Sequence, residues 1–172
     1  MDQINELRRT LPDAAKDIKL NIQSVLTPDK LDTEQVWGIA LTSAFFIKDI
    51  ELTEAVLADA QAAGLSDDAI DDAKGAAAVM TMNTVYYRFR HMVQGEKYAT
   101  LQARLRMNRM ASPATNKANF ELFSMACAVL AGCEMCVNAH EESIRHAGLT
   151  EDHIHDCVRI AAVVNALSTS LT

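Results

Sequence analysis

Ala63-Gly64-Leu65-Ser66-Asp67-Asp68-Ala69-Ile70-Asp71-Asp72 returns 84 positions further along the chain as Ala147-Gly148-Leu149-Thr150-Glu151-Asp152-His153-Ile154-His155-Asp156. Each copy reads as the end of one helix, a glycine free to turn left-handed, a hydroxyl residue placed to cap, and the acidic first turn of the next helix. The match continues forward, pairing Ala77-Ala78-Val79 with Ala161-Ala162-Val163, so it runs from a cap into an apolar helix face. A helical unit repeated in this way predicts an all-α fold with an internal duplication. We read residues 1–172 as a single domain, with a first helical repeat over 33–93 and a second over 115–171.

Outward from the repeat, the remaining punctuation is also helical. Asp32 precedes Glu34 and Gln35 as a further N-cap. Periodicity places helices over 11–25, 33–47, 51–63, 67–93, 97–105, 115–131, 134–147 and 151–169, and no strand pattern is found. Pro113 marks the break between the halves. With only three prolines and six glycines, and 49% hydrophobic residues, the chain has the composition of a helix-rich globular protein. At 172 residues it can bury about two-thirds of its unfolded surface without a disulfide or metal to brace it.

A net charge of −7 argues against nucleic acid or an anionic membrane surface as partner. No apolar run approaches the roughly 20 residues that span a bilayer, and Met1-Asp2-Gln3-Ile4-Asn5-Glu6 lacks the basic start of a secretory signal. These features point to a cytoplasmic chain. The segment from Arg88 to Arg109 is a basic island, with Arg88, Arg90, Lys97, Arg104, Arg106 and Arg109 against Glu96, and is assigned to salt bridges between subunits.

Cysteines in a reducing compartment do not form a static framework, so their spacing carries the information. Cys133 and Cys136 are three apart, between one helical pattern and the next, which places them on a first helical turn with both sulfurs on one face. There the helix dipole and free N–H groups favour thiolate, and the pair can close and reopen reversibly. His140 follows Cys136 by one turn on the same face, where an imidazole is suited to take the thiol proton and return it to a leaving group. Glu121 falls on the preceding helix, which must run antiparallel across so short a connection, so its carboxylate can meet and orient His140. Subtracting 84 from Cys133, Cys136 and His140 gives Asp49, Leu52 and Val56, so the first repeat lacks this chemistry.

Glu121, Cys133, Cys136 and His140 form the pattern Glu-x11-Cys-x2-Cys-x3-His, which resembles the AhpD group of alkylhydroperoxidases in the carboxymuconolactone decarboxylase-like superfamily. The resemblance extends through Leu11-Pro12-Asp13-Ala14-Ala15-Lys16-Asp17-Ile18-Lys19-Leu20, Glu34-Gln35-Val36-Trp37-Gly38, Leu105-Arg106-Met107-Asn108 and Lys117-Ala118-Asn119-Phe120-Glu121-Leu122, covering essentially the whole chain. It implies an AhpD-like helical fold assembled as a homotrimer, and an antioxidant thiol peroxidase that reduces alkyl hydroperoxides and the peroxiredoxin AhpC. In that scheme Cys136 is the peroxidatic cysteine that becomes a sulfenic acid, Cys133 resolves it and donates a proton, and His140 and Glu121 relay protons. Electrons come from dihydrolipoamide on a lipoyl-bearing dihydrolipoamide succinyltransferase, replenished by lipoamide dehydrogenase, and no tightly bound cofactor or metal is implied. One departure stands out: close relatives often carry His immediately before the second cysteine, where this chain has Met135, so a relay through that position is closed; Glu121 and His140 remain, and activity is expected to survive with thiolate activation or peroxide rate the quantity open to a decrease.

Three other readings compete. Two thiolates and an imidazole are zinc ligands, although a closed zinc site needs a fourth ligand and these three crowd one helix. A dithiol adaptor that passes electrons to AhpC with little peroxidase activity of its own would use the same residues. A decarboxylase-like lactone enzyme has no use for a dithiol. Cys127 and Cys157, in alanine-rich patterns, read as core packing, and His91, His146, His153 and His155 as surface or capping residues. Met80, Met82, Met107, Met110 and Met125 read as adaptable core or subunit contacts, with an apolar substrate route lined by some of them as the lesser alternative.

Overall fold

The computed structural model describes residues 1–93 and 95–171, Ala99 through its backbone alone. Among the described residues there are ten α-helices and no strand. They are α1 (Asp2–Thr10), α2 (Lys16–Val25), α3 (Thr33–Ile47), α4 (Ile50–Ala62), α5 (Asp67–Val93), α6 (Glu96–Thr100), α7 (Asn108–Ala111), α8 (Lys117–Leu130), α9 (Glu134–His146) and α10 (Glu151–Leu171). The starts of α8, α9 and α10 each lie 84 positions after those of α3, α4 and α5.

α3 and α8 form the centre. Ten consecutive residues are buried in each, Gln35 to Ala44 and Asn119 to Ala128, as expected of helices that are apolar nearly all round. Between them Gly38 faces the ring of Phe123 so closely that a Cβ at Gly38 would enter the ring, and this absence of a side chain sets the helix separation. The polar groups in this layer are paired: Gln35 Nε2 donates to Asn119 Oδ1 at 3.1 Å, and Asn119 Nδ2 donates to Glu34 Oε1 at 2.7 Å. α5 and α10 pack against both central helices, α9 against α8, α4 against α3 and α1, and α2 against α10. Among the described residues no helix is long and apolar enough to cross a membrane.

The caps follow the local chemistry. Asp32 and Gln35 form a reciprocal capping box on α3, and Asn116 and Asp49 cap α8 and α4 through the N–H groups of Asn119 and Leu52. Gly64 and Gly148 take positive φ at the ends of α4 and α9, as their place in the repeat requires.

Three sequence boundaries need correction. A helix over 11–25 is expected, but Leu11 before Pro12 is extended, a 3-10 turn covers Asp13–Ala15, and α2 starts only at Lys16. α1 was not expected at all; its start is held from a distance by Asp59, whose carboxylate accepts from the N–H groups of Gln3 and Ile4 at 3.1 and 2.9 Å. The helix expected over 97–105 ends at Thr100, the chain then runs irregularly with Arg104 left-handed at φ 52°, and α7 forms in its place. The basic island also differs from expectation, because Arg109 is spent within the chain on Asp71 and Asp72, at 2.5 and 2.7 Å, and Arg88 donates to the Ala131 carbonyl at 2.6 Å.

Candidate active site

α8 ends in a turn made by Gly132 at φ 62°, with Gly132 N–H and Cys133 N–H returning to the carbonyls of Val129 and Ala128. This turn delivers Cys133 to the N-cap position of α9 and Cys136 to its first turn. The Cα atoms are 5.3 Å apart and the sulfurs at bonding distance, a disulfide in this state. At the equivalent place on α4, Asp49 caps the helix with its side chain, whereas Cys133 makes no such bond. The α9 start gives up a cap worth about 1 kcal/mol, and its first N–H groups remain as partial positive charge beside the sulfurs.

Glu121 lies in the second turn of α8, not at its start, and is buried. Its Oε2 stands 2.6 Å from His140 Nδ1 and its Oε1 2.7 Å from Lys117 Nζ. Burial pushes the carboxyl pKa up, but the hydrogen bonds and charges of His140 and Lys117 outweigh it and hold the group below its ordinary range. With Nδ1 committed to the carboxylate, Nε2 is the ring nitrogen left for chemistry. Lys117 was missed in the sequence, although its place four residues before Glu121 is ordinary helix pairing and was open to view.

Cys136 and His140 sit one turn apart on the wall of a cleft of about 240 Å³. Met135 and Ala139 complete the α9 wall, Met107 and Met110 come from the segment around α7, and α5 contributes Met80, Asn83 and Tyr87. The lining is largely apolar, with a sulfur and an imidazole exposed to it. Met135 is 41% exposed at the rim, so a thioether stands where an imidazole would offer a further proton carrier. Of the expected methionines, Met125 is core, while Met80, Met107 and Met110 line the cleft. A larger polar hollow of about 360 Å³, between the loop after α2 and α10, holds Asp29, Lys30, His155 and Arg159 but no cysteine.

The other cysteines are internal. Cys157 donates to the Leu122 carbonyl at 3.2 Å, and burial pushes both the Cys127 and Cys157 thiols well above their ordinary pKa. His153 meets Thr150 Oγ1 at 2.8 Å at the start of α10, and His91 pairs with Glu134 at 3.6 Å. Among the described residues no group of three or more His, Cys, Asp or Glu side chains is set to hold a metal ion.

Comparison with known proteins finds the carboxymuconolactone decarboxylase family over residues 96–171, the segment that carries the cysteine pair. Over its whole length the chain is similar to proteins named alkyl hydroperoxide reductase AhpD. The protein from Anaeromyxobacter sp. (strain Fw109-5) is 48% identical over 171 residues, covering 99% of this chain and 92% of the relative. That from Maricaulis maris (strain MCS10) is 44% identical over 168 residues, covering 98% and 96%. That from Rhodopseudomonas palustris (strain BisA53) is 40% identical over 169 residues, covering 98% and 92%.

Proposed function

Because the chain belongs to the AhpD family of alkyl hydroperoxide reductases, we propose that it is a thiol peroxidase working through Cys133 and Cys136 with electrons from dihydrolipoamide. The observation that carries this reading is the cleft in which Cys136 and His140 share one wall while Glu121 holds the far nitrogen of the imidazole.

In the reduced protein His140 Nε2 accepts the Cys136 proton, and the thiolate, helped by the α9 N-terminus, attacks the terminal oxygen of the hydroperoxide. The O–O bond breaks, the alkoxide takes the proton back from His140, and Cys136 is left as a sulfenic acid. The Cys133 thiol then displaces water from that sulfur and forms the disulfide, which its helix-start geometry makes a short step. Dihydrolipoamide, carried on a lipoyl-bearing succinyltransferase and renewed by lipoamide dehydrogenase, reopens it by exchange through a mixed disulfide. The same exchange serves the peroxiredoxin AhpC. Assembly is as a homotrimer; exposed Val85, Phe89 and Met92 on α5, with Tyr98 and Leu101 beyond, offer apolar surface for it.

Mass spectrometry after one equivalent of cumene hydroperoxide tests the assignment. Wild type is expected to lose its two thiol hydrogens, Cys133→Ser to trap an oxidised Cys136, and Cys136→Ser to stay unchanged at early times. First oxidation at Cys133 would reverse the roles. Turnover with dihydrolipoamide in the absence of AhpC separates a peroxidase from an adaptor, since an adaptor gives none.

A further inference from the structure

Asn83 is the feature of the cleft that the cysteine chemistry leaves unused. It lies on α5, one turn from Met80 and one from Tyr87, on the face that lines the cleft together with α9. The residue is 4% exposed. Its Nδ2 donates to the Met110 thioether at 3.3 Å, while its Oδ1 is closed off from water and has no hydrogen-bond partner. The sulfur contact settles which way the amide faces, because a thioether has lone pairs and no proton and so receives the NH2 edge. A buried amide oxygen without a donor is costly to keep, and such groups in native proteins call for an explanation.

We propose that Asn83 Oδ1 is the acceptor for the hydroxyl of the incoming organic hydroperoxide, and so a substrate-orienting residue of this site. The inference rests on the peroxidase reading above. An alkyl hydroperoxide brings one hydroxyl donor and an apolar body. The amide oxygen, uncovered as the adaptable methionine side chains around it shift, takes the first, and the thioethers of Met80, Met107 and Met110 receive the second. Anchored in the cleft that Asn83 lines together with Cys136 and His140, the hydroperoxide presents its terminal oxygen to the sulfur and its alkoxy oxygen to His140 Nε2, which turns an encounter into an aligned displacement.

The step balances. The Cys136 S–O bond forms as the O–O bond breaks, the sulfur is oxidised by two electrons and the peroxide reduced by two. The proton first passed from Cys136 to His140 leaves with the alcohol, and the proton held on Asn83 stays with the sulfenic hydroxyl.

The test is a pair of single-turnover measurements on reduced full-length protein, one with cumene hydroperoxide and one with oxidised lipoamide, which closes the same disulfide by exchange and carries no peroxide hydroxyl. Asn83→Leu is expected to slow oxidation by the hydroperoxide about tenfold, the scale of one hydrogen bond, and to leave exchange with oxidised lipoamide unchanged. Asn83→Ala, which removes the amide without adding bulk beside Met110, is expected to show the same split. Equal losses in both reactions would make Asn83 a scaffold residue, a loss in exchange alone would give the amide to the dithiol carrier, and unchanged rates would leave it without a role; each overturns the proposal. Failure of the peroxidase reading is separately visible, because wild type would then close no disulfide with the hydroperoxide while still exchanging with oxidised lipoamide.

Discussion

Asp72 is the place where a conservative substitution should cost most for its size. The side chain is fully buried on α5. Its Oδ1 accepts from Arg109 Nε at 2.8 Å and Ala114 N–H at 2.9 Å, and its Oδ2 from Thr115 N–H and Oγ1 at 2.8 and 2.7 Å. These bonds tie the connection between α7 and α8 to α5, and with it Met107 and Met110 over the cleft. Asp72→Asn keeps the shape, removes the charge and turns one acceptor into a donor facing donors. Several charge-assisted bonds at ~1.5–3 kcal/mol each are weakened, and outward relaxation of the exposed loop at Ala114 recovers part of the loss, which leaves a net destabilisation of roughly 3 kcal/mol. For a chain of this length that is a fall in melting temperature of about 6–12 °C. The pH dependence carries its own sign. Burial pushes the Asp72 carboxyl up, but the N–H groups of Ala114 and Thr115, the Thr115 hydroxyl and Arg109 outweigh it, so its folded pKa lies below the ordinary value. A carboxyl lowered by folding contributes stability that is fully present above its unfolded pKa, near ~3.9, and lost as pH falls through the lower folded one. Urea unfolding of wild type and Asp72→Asn should therefore show a constant gap between about pH 5 and 7 that narrows below about pH 4. A gap under about 1 kcal/mol at pH 7, or one that does not narrow in acid, would show that the charge on Asp72 does not hold this connection to α5.

Gly38→Ala drives a methyl into the Phe123 ring between the two central helices and is expected to destabilise by about 3 kcal/mol or more; an unchanged urea midpoint would show that α3 and α8 can separate freely. Cys127 and Cys157, with thiols pushed up by burial, should resist alkylation in the folded reduced protein and react only in denaturant, and peptide mapping that finds either labelled at the rate of Cys136 would contradict their placement. Glu121→Gln is expected to slow hydroperoxide oxidation by about tenfold or more, because His140 loses its charged anchor at Nδ1; stopped-flow rates equal to wild type would remove Glu121 from the mechanism.

The all-helical architecture was legible because its signals are local. Asp32, Ser66 and Gly148 act on the residues beside them, and α3 and α5 run over the residues that periodicity gives. What the sequence hid is non-local. α1 depends on Asp59 from another helix for its start, and the expected helix over 97–105 yields to a strap pinned by Arg109 on Asp71 and Asp72. Propensity favours helix there, but tertiary bonds to α5 decide otherwise. Within the site, Cys133, Cys136 and His140 could be placed on one face by spacing alone, while the meeting of Glu121 with His140 needed the further step that α8 and α9 are antiparallel.

The repeat that exposed the cysteine chemistry also contained the trace of the opposite wall. Set against the first half, Glu121 stands where Trp37 does, and Cys133, Cys136 and His140 stand where Asp49, Leu52 and Val56 do. Those counterparts are a core ring, a helix cap and two core aliphatics, the residues a fold needs when no chemistry is asked of it. Run in the other direction, the same comparison sets Asn83 against Leu167 and Met80 against Val164, both fully buried in α10. An amide in place of a core leucine costs packing and leaves a polar group to satisfy. The first half departs from the plain helical plan on the stretch of α5, Met80 to Tyr87, that lines the cleft with the cysteine of the second. The cleft thus holds two departures from one pattern, Cys136 on α9 and Asn83 on α5, and under the roles proposed above the amide loses its purpose if the thiol is removed. In a Cys136→Ser background, Asn83→Leu is expected to leave the protein at least as stable as its parent, since filling the wall with apolar volume then costs no function and relieves an unpaired oxygen; a clear loss of stability there would assign Asn83 to the framework.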